Sequence, residues 1–258
     1  MARPLRIGTV PWLVARPLTA GLERRPGVEL HSAPPALLAR GLRRGELDVA
    51  LASSILALPP EGLPLWTEGP LVASRGPVRS VLLFLRPGLE EPSRVRSLAV
   101  DPDSRTGAAL ARILLRELGA RPRAYPAEED PWRADAVLRI GDPALREAAR
   151  RRDWRILDLG ETWHRLTRLP FVYAGWIGRR DFPLEEAAPL LEEAARAGLP
   201  QREHLAAEHA AALGLDPVFL RTYLTEDLHY RLDPAEARAA LEAFALRLQG
   251  LRLAAAGD

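Results

Sequence analysis

The sequence predicts an α/β protein of two lobes, on three observations. Strand-length apolar runs alternate with amphipathic stretches through the first two-thirds of the chain, the pattern of a layered α/β sheet. Two longer apolar runs, PVRSVLLFL at 77–85 and PFVYAGWI at 170–177, set one alternating unit apart from a second, and after Phe182 every stretch has a helical period. A chain that crosses twice between lobes encloses a cleft, and 258 residues leave room for about 1.7 domains at roughly 150 residues each.

Residues 5–10 (LRIGTV) form an apolar run stopped by Pro11, a buried strand that enters the loop PWLVARPL. Residues 28–31 predict a second strand. Residues 35–44 (PALLARGLRR) predict a helix, with Leu37, Leu38 and Leu42 on one face, Pro near the start and Gly45 as the stop. Residues 47–51 (LDVAL) predict a strand that leaves through Ala52, Ser53 and Ser54. Strand, helix, strand in this order implies a parallel sheet. The run 77–85 is the strongest strand signal of the first half, and 87–93 reads as a linker. Residues 96–100 (RSLAV), the loop DPDSRTG and a helix over 108–118 make a second α/β unit. Strands follow at 134–140, ending in Gly141-Asp142, and at 155–159. The chain returns through 170–177. Helices at 184–197, 201–213, 217–227 and 234–251 are each introduced by Pro or ended by Gly. The expected lobes are residues 1–87 with 182–258, and residues 88–181. The C-terminal helices pack on the first lobe or form a dimer face.

Composition narrows the function. Hydrophobic residues at 47% and charged residues at 27% are globular values. The absence of Cys removes disulfides, thiolate nucleophiles and thiolate metal ligands. All 36 basic residues are Arg, interleaved with 34 acidic ones for a net charge of +2, so the clustered basic face that nucleic acid requires is missing. Pro11, Arg16 and Pro17 interrupt what a signal peptide would need as its apolar segment. No run approaches the roughly 18 uncharged apolar residues of a membrane span. The expected location is the cytoplasm. His204 and His209 are five apart, which puts them on different sides of a helix and gives no metal pair. No nucleophile elbow, phosphate loop or dinucleotide fingerprint is present, so no cofactor is indicated.

In open α/β sheets a ligand lies at the carboxyl ends of strands and near helix N-termini, here the loops after Val10, Leu51, Val100 and Ile140. The loop DPDSRTG offers Ser104, Arg105, Thr106 and Gly107: two hydroxyls, a guanidinium and permissive backbone before a strong helix, suited to a carboxylate or phosphate. Its other reading is a plain helix cap by Asp103 or Ser104. Ser53 and Ser54 occupy the matching place in the first lobe, as donors or as the start of a short helix. One of Arg79 and Ser80 faces the cleft by strand alternation; the alternatives are a surface ion pair for Arg79 and a core hydroxyl for Ser80. Gly141 lets backbone approach a ligand, while Asp142 serves as a base or, more in keeping with its type, as a cap. Trp12, Trp163 and Trp176 form an aromatic wall or lie in the core.

Read together, RIGTVPW with ARPL, GELDVAL, GPVRSVLLF, DPDSRTGAAL, ADAVLRIGDPAL and DLGETWHRLTRLPFVYAGW, with EDLHYRLDPAEARAALEAF in the tail, resemble the chorismate dehydratase family of the futalosine route to menaquinone. The motifs occur in the family's order over nearly the whole chain. The resemblance implies the two-lobed fold of type II periplasmic binding proteins in a cytoplasmic enzyme. It also implies removal of water from chorismate to give 3-[(1-carboxyvinyl)oxy]benzoate, without metal or organic cofactor. Ser80 is then the catalytic hydroxyl. Trp12, Ser53, Ser54, Arg79, Ser104, Arg105, Thr106, Gly107, Gly141 and Asp142 hold the substrate. These loops offer no convincing His or Glu base, which would suit a substrate whose own side-chain carboxylate takes the proton. Partners are expected to be the small-molecule substrate alone, with no nucleic acid or membrane, in a monomer or homodimer. Family members usually carry a triplet ending in Asn where this chain has Trp12, Leu13 and Val14, so Val14 removes an amide from the expected cleft. The alternatives are a non-catalytic cytosolic ligand-binding relative and an exported solute-binding protein for a chorismate-like carboxylate. The Pro-Asn-Asp-Thr motif of the related dihydroxynaphthoate synthase is absent, as is the N-terminal helix-turn-helix of an effector-controlled regulator.

Overall fold

The structure, a computed structural model, describes residues 3–101, 103–126 and 128–255. Pro102 of the DPDSRTG loop and the first two and last three residues of the expected first lobe lie outside the described residues. In chain order the elements are β1 (Leu5–Thr9), β2 (Val28–Ser32), α1 (Pro35–Arg44), β3 (Val49–Ser53), β4 (Leu71–Ser74), β5 (Val81–Leu85), β6 (Ser97–Ala99), α2 (Arg105–Glu117), β7 (Arg123–Ala124), β8 (Ala136–Ile140), α3 (Gly141–Arg150), β9 (Arg155–Asp158), α4 (Leu159–Thr167), β10 (Phe171–Gly178), α5 (Leu184–Gly198), α6 (Arg202–Leu213), α7 (Pro217–Thr222) and α8 (Pro234–Ala255). Short 3-10 turns follow β1 at Leu13–Leu18 and β3 at Ser54–Ala57, and a π-helical turn, Tyr223–Asp227, continues α7.

Two five-stranded sheets result, ordered β2-β1-β3-β10-β4 and β7-β6-β8-β5-β9. Each is mixed. β1 runs parallel to β2 and β3, and β6 parallel to β7 and β8, as strand-helix-strand order requires. The crossing strands β10 and β5 are antiparallel to their neighbours. β5 is buried at all five positions because it is flanked on both edges and packed on both faces, which explains its unbroken apolar run.

Sheet membership moves the expected lobe boundaries. Residues 81–85 pair with β8 and β9 in the second sheet, and residues 171–178 pair with β3 and β4 in the first. The chain therefore crosses between sheets at 75–80 and at 168–170, not near 87 and 182. The expected strand over 77–85 begins only at Val81, because residues 78–80 make a tight turn closed by Ser80 N–H to the Val78 carbonyl at 2.6 Å. The helical tail packs on the first lobe through α5 and α6, which lie on the Leu13–Leu18 turn, and α8 reaches both β10 and α2 of the second lobe. No helix of the described residues is long and apolar enough to cross a membrane.

α1 shows how the sequence directs these elements. Pro35 opens it, where a missing N–H costs nothing, and Gly45 ends it at φ +67°, donating to the carbonyls of Gly41 and Leu42. Gly8 lets α1 lie close on the sheet: a Cβ there would come within 2.8 Å of Leu38 and 2.7 Å of Leu47.

Candidate interlobe site

The carboxyl ends of β1, β3 and β8 and the start of α2 converge on a narrow cleft between the lobes. Trp12, Val14, Ser53, Ser80, Ser104, Thr106, Gly107 and Gly141 line it, joined by Val10, Val72, Val78, Ile140 and Tyr173 among others. No lining residue among those described carries a charged or imidazole side chain. The polar groups are hydroxyls and backbone amides.

The lobes are closed on each other. Leu13 N–H donates to both carboxylate oxygens of Asp142, at 3.1 and 3.2 Å. Ile55 N–H donates to Thr106 Oγ1 at 3.2 Å. Arg105 pairs with Glu61 at 2.6 Å. The Trp12 ring lies against the Gly141 backbone so closely that a Cβ would come within 2.4 Å of it, and Gly141 has φ +63°, which favours glycine.

Ser104 is the first residue before α2, yet its hydroxyl makes no capping bond. It is 5% exposed and turned to the cleft. Gly107 keeps this space open, since a Cβ there would stand 2.4 Å from Ser104 Oγ. The uncapped first turn of α2 thus presents amide hydrogens and the positive end of the helix dipole to an anion.

Four expected site residues are placed elsewhere. Ser54 is fully buried and donates to the Val172 carbonyl at 2.7 Å, so it is the core hydroxyl of its pair while Ser53 lines the cleft. The Arg79 side chain turns away to Asp227, 3.1 Å off. Arg105 is engaged by Glu61. Asp142 caps, but it caps the Leu13 turn of the opposite lobe instead of its own helix; burial raises its carboxyl above the usual range against the lowering effect of that bond. Of the three Trp residues only Trp12 reaches the cleft. Trp163 and Trp176 are fully buried, as expected for a large apolar ring with no ligand to meet.

Three features escaped the sequence reading. Tyr173, buried and 3.1 Å from Ser74 Oγ, lines the cleft; alternation along the returning strand was the signal that pointed to it. α3 was missed because it opens with Gly-Asp-Pro, a turn signature. Asp158 was read only as part of a strand. Its carboxylate accepts from Val78 N at 3.0 Å, Arg79 N at 2.8 Å and Gly160 N at 2.9 Å, which fixes the turn before Ser80. Burial pushes this carboxyl up, and the backbone bonds pull it down in part.

Comparison with known proteins places this site in context. The profile of a family described as Menaquinone biosynthesis matches residues 5–249. A chorismate dehydratase of Thermus thermophilus is 34% identical, covering 94% of this chain and 94% of the relative. Among solved structures, an Archaeoglobus fulgidus protein superimposes with TM-score 0.68 at 17% identity, covering 97% of this chain and 98% of its own. The periplasmic aliphatic sulphonate binding protein of Escherichia coli gives TM-score 0.64 at 19% identity, covering 98% and 89%. These last two likenesses concern the fold, which is that of periplasmic binding proteins.

Proposed function

The chain belongs to the menaquinone biosynthesis family, and from that premise we propose that it is a hydro-lyase whose interlobe cleft takes chorismate to 3-[(1-carboxyvinyl)oxy]benzoate and water. The supporting observation is a closed cleft whose polar lining consists of hydroxyls and amide hydrogens, without a charged side chain among the described lining residues. Such a lining suits a dianion that brings its own base.

The reaction removes the C3 proton and the C4 hydroxyl. Loss of the proton leaves charge delocalised through the ring diene onto the ring carboxylate, and departure of the hydroxyl makes the ring aromatic. The protein must fix the conformer, stabilise the delocalised charge and exclude water. The uncapped start of α2, with Ser104, Thr106 and Gly107, receives one carboxylate. Ser53 faces it from the first lobe. Ser80, 4% exposed at the cleft wall, donates to the oxygen on which charge or leaving-group character develops. The substrate's enolpyruvyl carboxylate accepts the C3 proton and returns it to the departing C4 hydroxyl, which leaves as water, and this fits the lack of a His, Asp or Glu among the described lining residues. Arg79 and Arg105 act outside the cleft, Arg105 by tying α2 to Glu61 of the first lobe. The lobes divide at 75–80 and 168–170, and the protein works in the cytoplasm as a monomer or homodimer.

The test is incubation of the purified chain with chorismate, following product by mass and ultraviolet absorbance. Formation of the enolpyruvyl benzoate is expected. Tight binding of chorismate without turnover would make the chain a binding relative and overturn the lyase reading.

A further inference from the structure

Ser80 is presented by an unusual piece of backbone. Arg79, a non-glycine residue, sits at φ +58°, inside a three-residue turn closed by Ser80 N–H to the Val78 carbonyl at 2.6 Å. Turns of this kind are rare and strained, and they persist where the surroundings hold them. Two separate parts of the chain hold this one. Asp158 takes the N–H groups of Val78 and Arg79 from below. From the C-terminal tail, the π-helical turn Tyr223–Asp227 grips the other side: Asp227 binds the Arg79 guanidinium at 3.1 Å, and Tyr223, fully buried, lies 2.9 Å from Ser80 Oγ. π turns are rare and are frequently found at functional positions.

The direction of the Tyr223 bond matters. A serine hydroxyl has one hydrogen to give. In this structure Ser80 Oγ donates it to the Val78 carbonyl, at a long 3.3 Å. A phenol that donates to Ser80 occupies an acceptor position on Oγ, so the serine hydrogen is not spent on Tyr223 and has only the long Val78 bond to give up for an oxygen in the cleft. Resting on the lyase reading above, we infer that Tyr223 is a positioning residue of the dehydration, which donates to Ser80 Oγ so that the Ser80 hydrogen is directed at the substrate. Burial raises the Tyr223 phenol far above its ordinary value, outweighing the opposite effect of Ser80, with Asp142 and Asp227 adding to the rise. The donor therefore stays protonated throughout the working range of pH. Hydroxyl chains of this sort strengthen the terminal donor by polarisation.

A double-mutant cycle over Tyr223→Phe and Ser80→Ala tests the role. In the otherwise unmodified chain, Tyr223→Phe is expected to lower kcat about tenfold with KM changed less than about threefold, the loss of one aligned hydrogen bond in the transition state. In the Ser80→Ala background the same change is expected to do nothing further. An equal loss in both backgrounds, or no loss in either, overturns the role. If Tyr223→Phe does not fold, Asp227→Asn reads the other end of the same turn: lower kcat at constant KM supports the inference and unchanged kcat overturns it. Absence of turnover by the unmodified chain is a distinct result, which overturns the lyase reading and this role with it.

Discussion

Asp142 in the second lobe and Leu13 in the first are 129 positions apart, yet the Leu13 amide donates to both oxygens of the Asp142 carboxylate at 3.1 and 3.2 Å. The bond exists only while the lobes are together. It converts the start of the Leu13–Leu18 turn, whose Val14 lines the cleft, into a sensor of closure.

Asp142→Ala is accordingly expected to shift the lobes toward the open arrangement by about 1–3 kcal/mol, the worth of a charge-assisted bond. KM for chorismate should rise about tenfold, since 1.4 kcal/mol is a factor of ten, and small-angle scattering of the free protein should report a larger radius. An unchanged KM and radius would show that the remaining interlobe contacts suffice.

Gly141→Ala introduces a methyl group 2.4 Å from the Trp12 ring and strains a backbone at φ +63°. Both defects fall at the junction of the lobes, away from either core. The variant should fold, as judged by far-ultraviolet circular dichroism, and lose at least about 100-fold in kcat/KM, because closure misplaced by about an ångström is enough for that. Trp12→Ala in the same chain relieves the clash and should recover part of the loss.

Val14 is 9% exposed and lines the cleft, and its carbonyl is held by the Tyr230 hydroxyl at 3.1 Å. Val14→Asn therefore adds an amide to an already fixed position. An increase in kcat of about tenfold is expected, from one hydrogen bond of about 1.4 kcal/mol. A lower kcat, measured beside the unmodified chain, would mean that the apolar wall itself orients the ring.

Asp48 is buried, its side chain 1% exposed, and it receives Arg6 at 3.0 Å and Arg3 at 2.7 Å, with Arg179, the residue after β10, at 3.3 Å. Burial raises its carboxyl, and the bonds from Arg6 and Arg179 outweigh burial and hold it well below the usual range. A carboxyl with a lowered folded-state pKa gives stability that is present above its unfolded value near 3.8 and fades as pH falls through the folded value. Asp48→Asn should cost about 1–3 kcal/mol at pH 7, the worth of charge-assisted bonds whose Arg partners stay partly exposed to water. Denaturant titrations should show the gap between variant and parent shrinking below about pH 4.

Much of this was legible in the residues. Helices α1 and α5 fall within a residue or so of their expected bounds, since Pro and Gly mark their ends and the apolar period marks their faces. Ser104, Thr106, Gly107 and Gly141 could be named because the carboxyl ends of strands are where a sheet exposes backbone, and Ser80 because it opens a crossing strand on which neighbours alternate in direction. What failed were choices between neighbours. Ser53 against Ser54, and Ser80 against Arg79, depend on the local twist of one residue, and a positive φ at Arg79 has no sequence signal when the residue is not glycine. The cross-lobe partner of Asp142 was beyond reach for another reason: a cap is normally sought within its own helix, and no local pattern encodes a bond over 129 positions.

The placing of β10 between β3 and β4 bears on how the chain acquires its shape. All five strands of the second sheet have been synthesised by residue 158, whereas the first sheet lacks β10, the strand that joins β3 to β4, until residue 178. The inserted lobe can therefore fold while the N-terminal strands still wait, with β3 and β4 exposing edges that only β10 can close. Non-local strand insertion is slow and leaves aggregation-prone edges open. The rate-limiting event in refolding should be the entry of β10, so that truncation before residue 171 leaves a folded second lobe beside a sticky, incomplete first one.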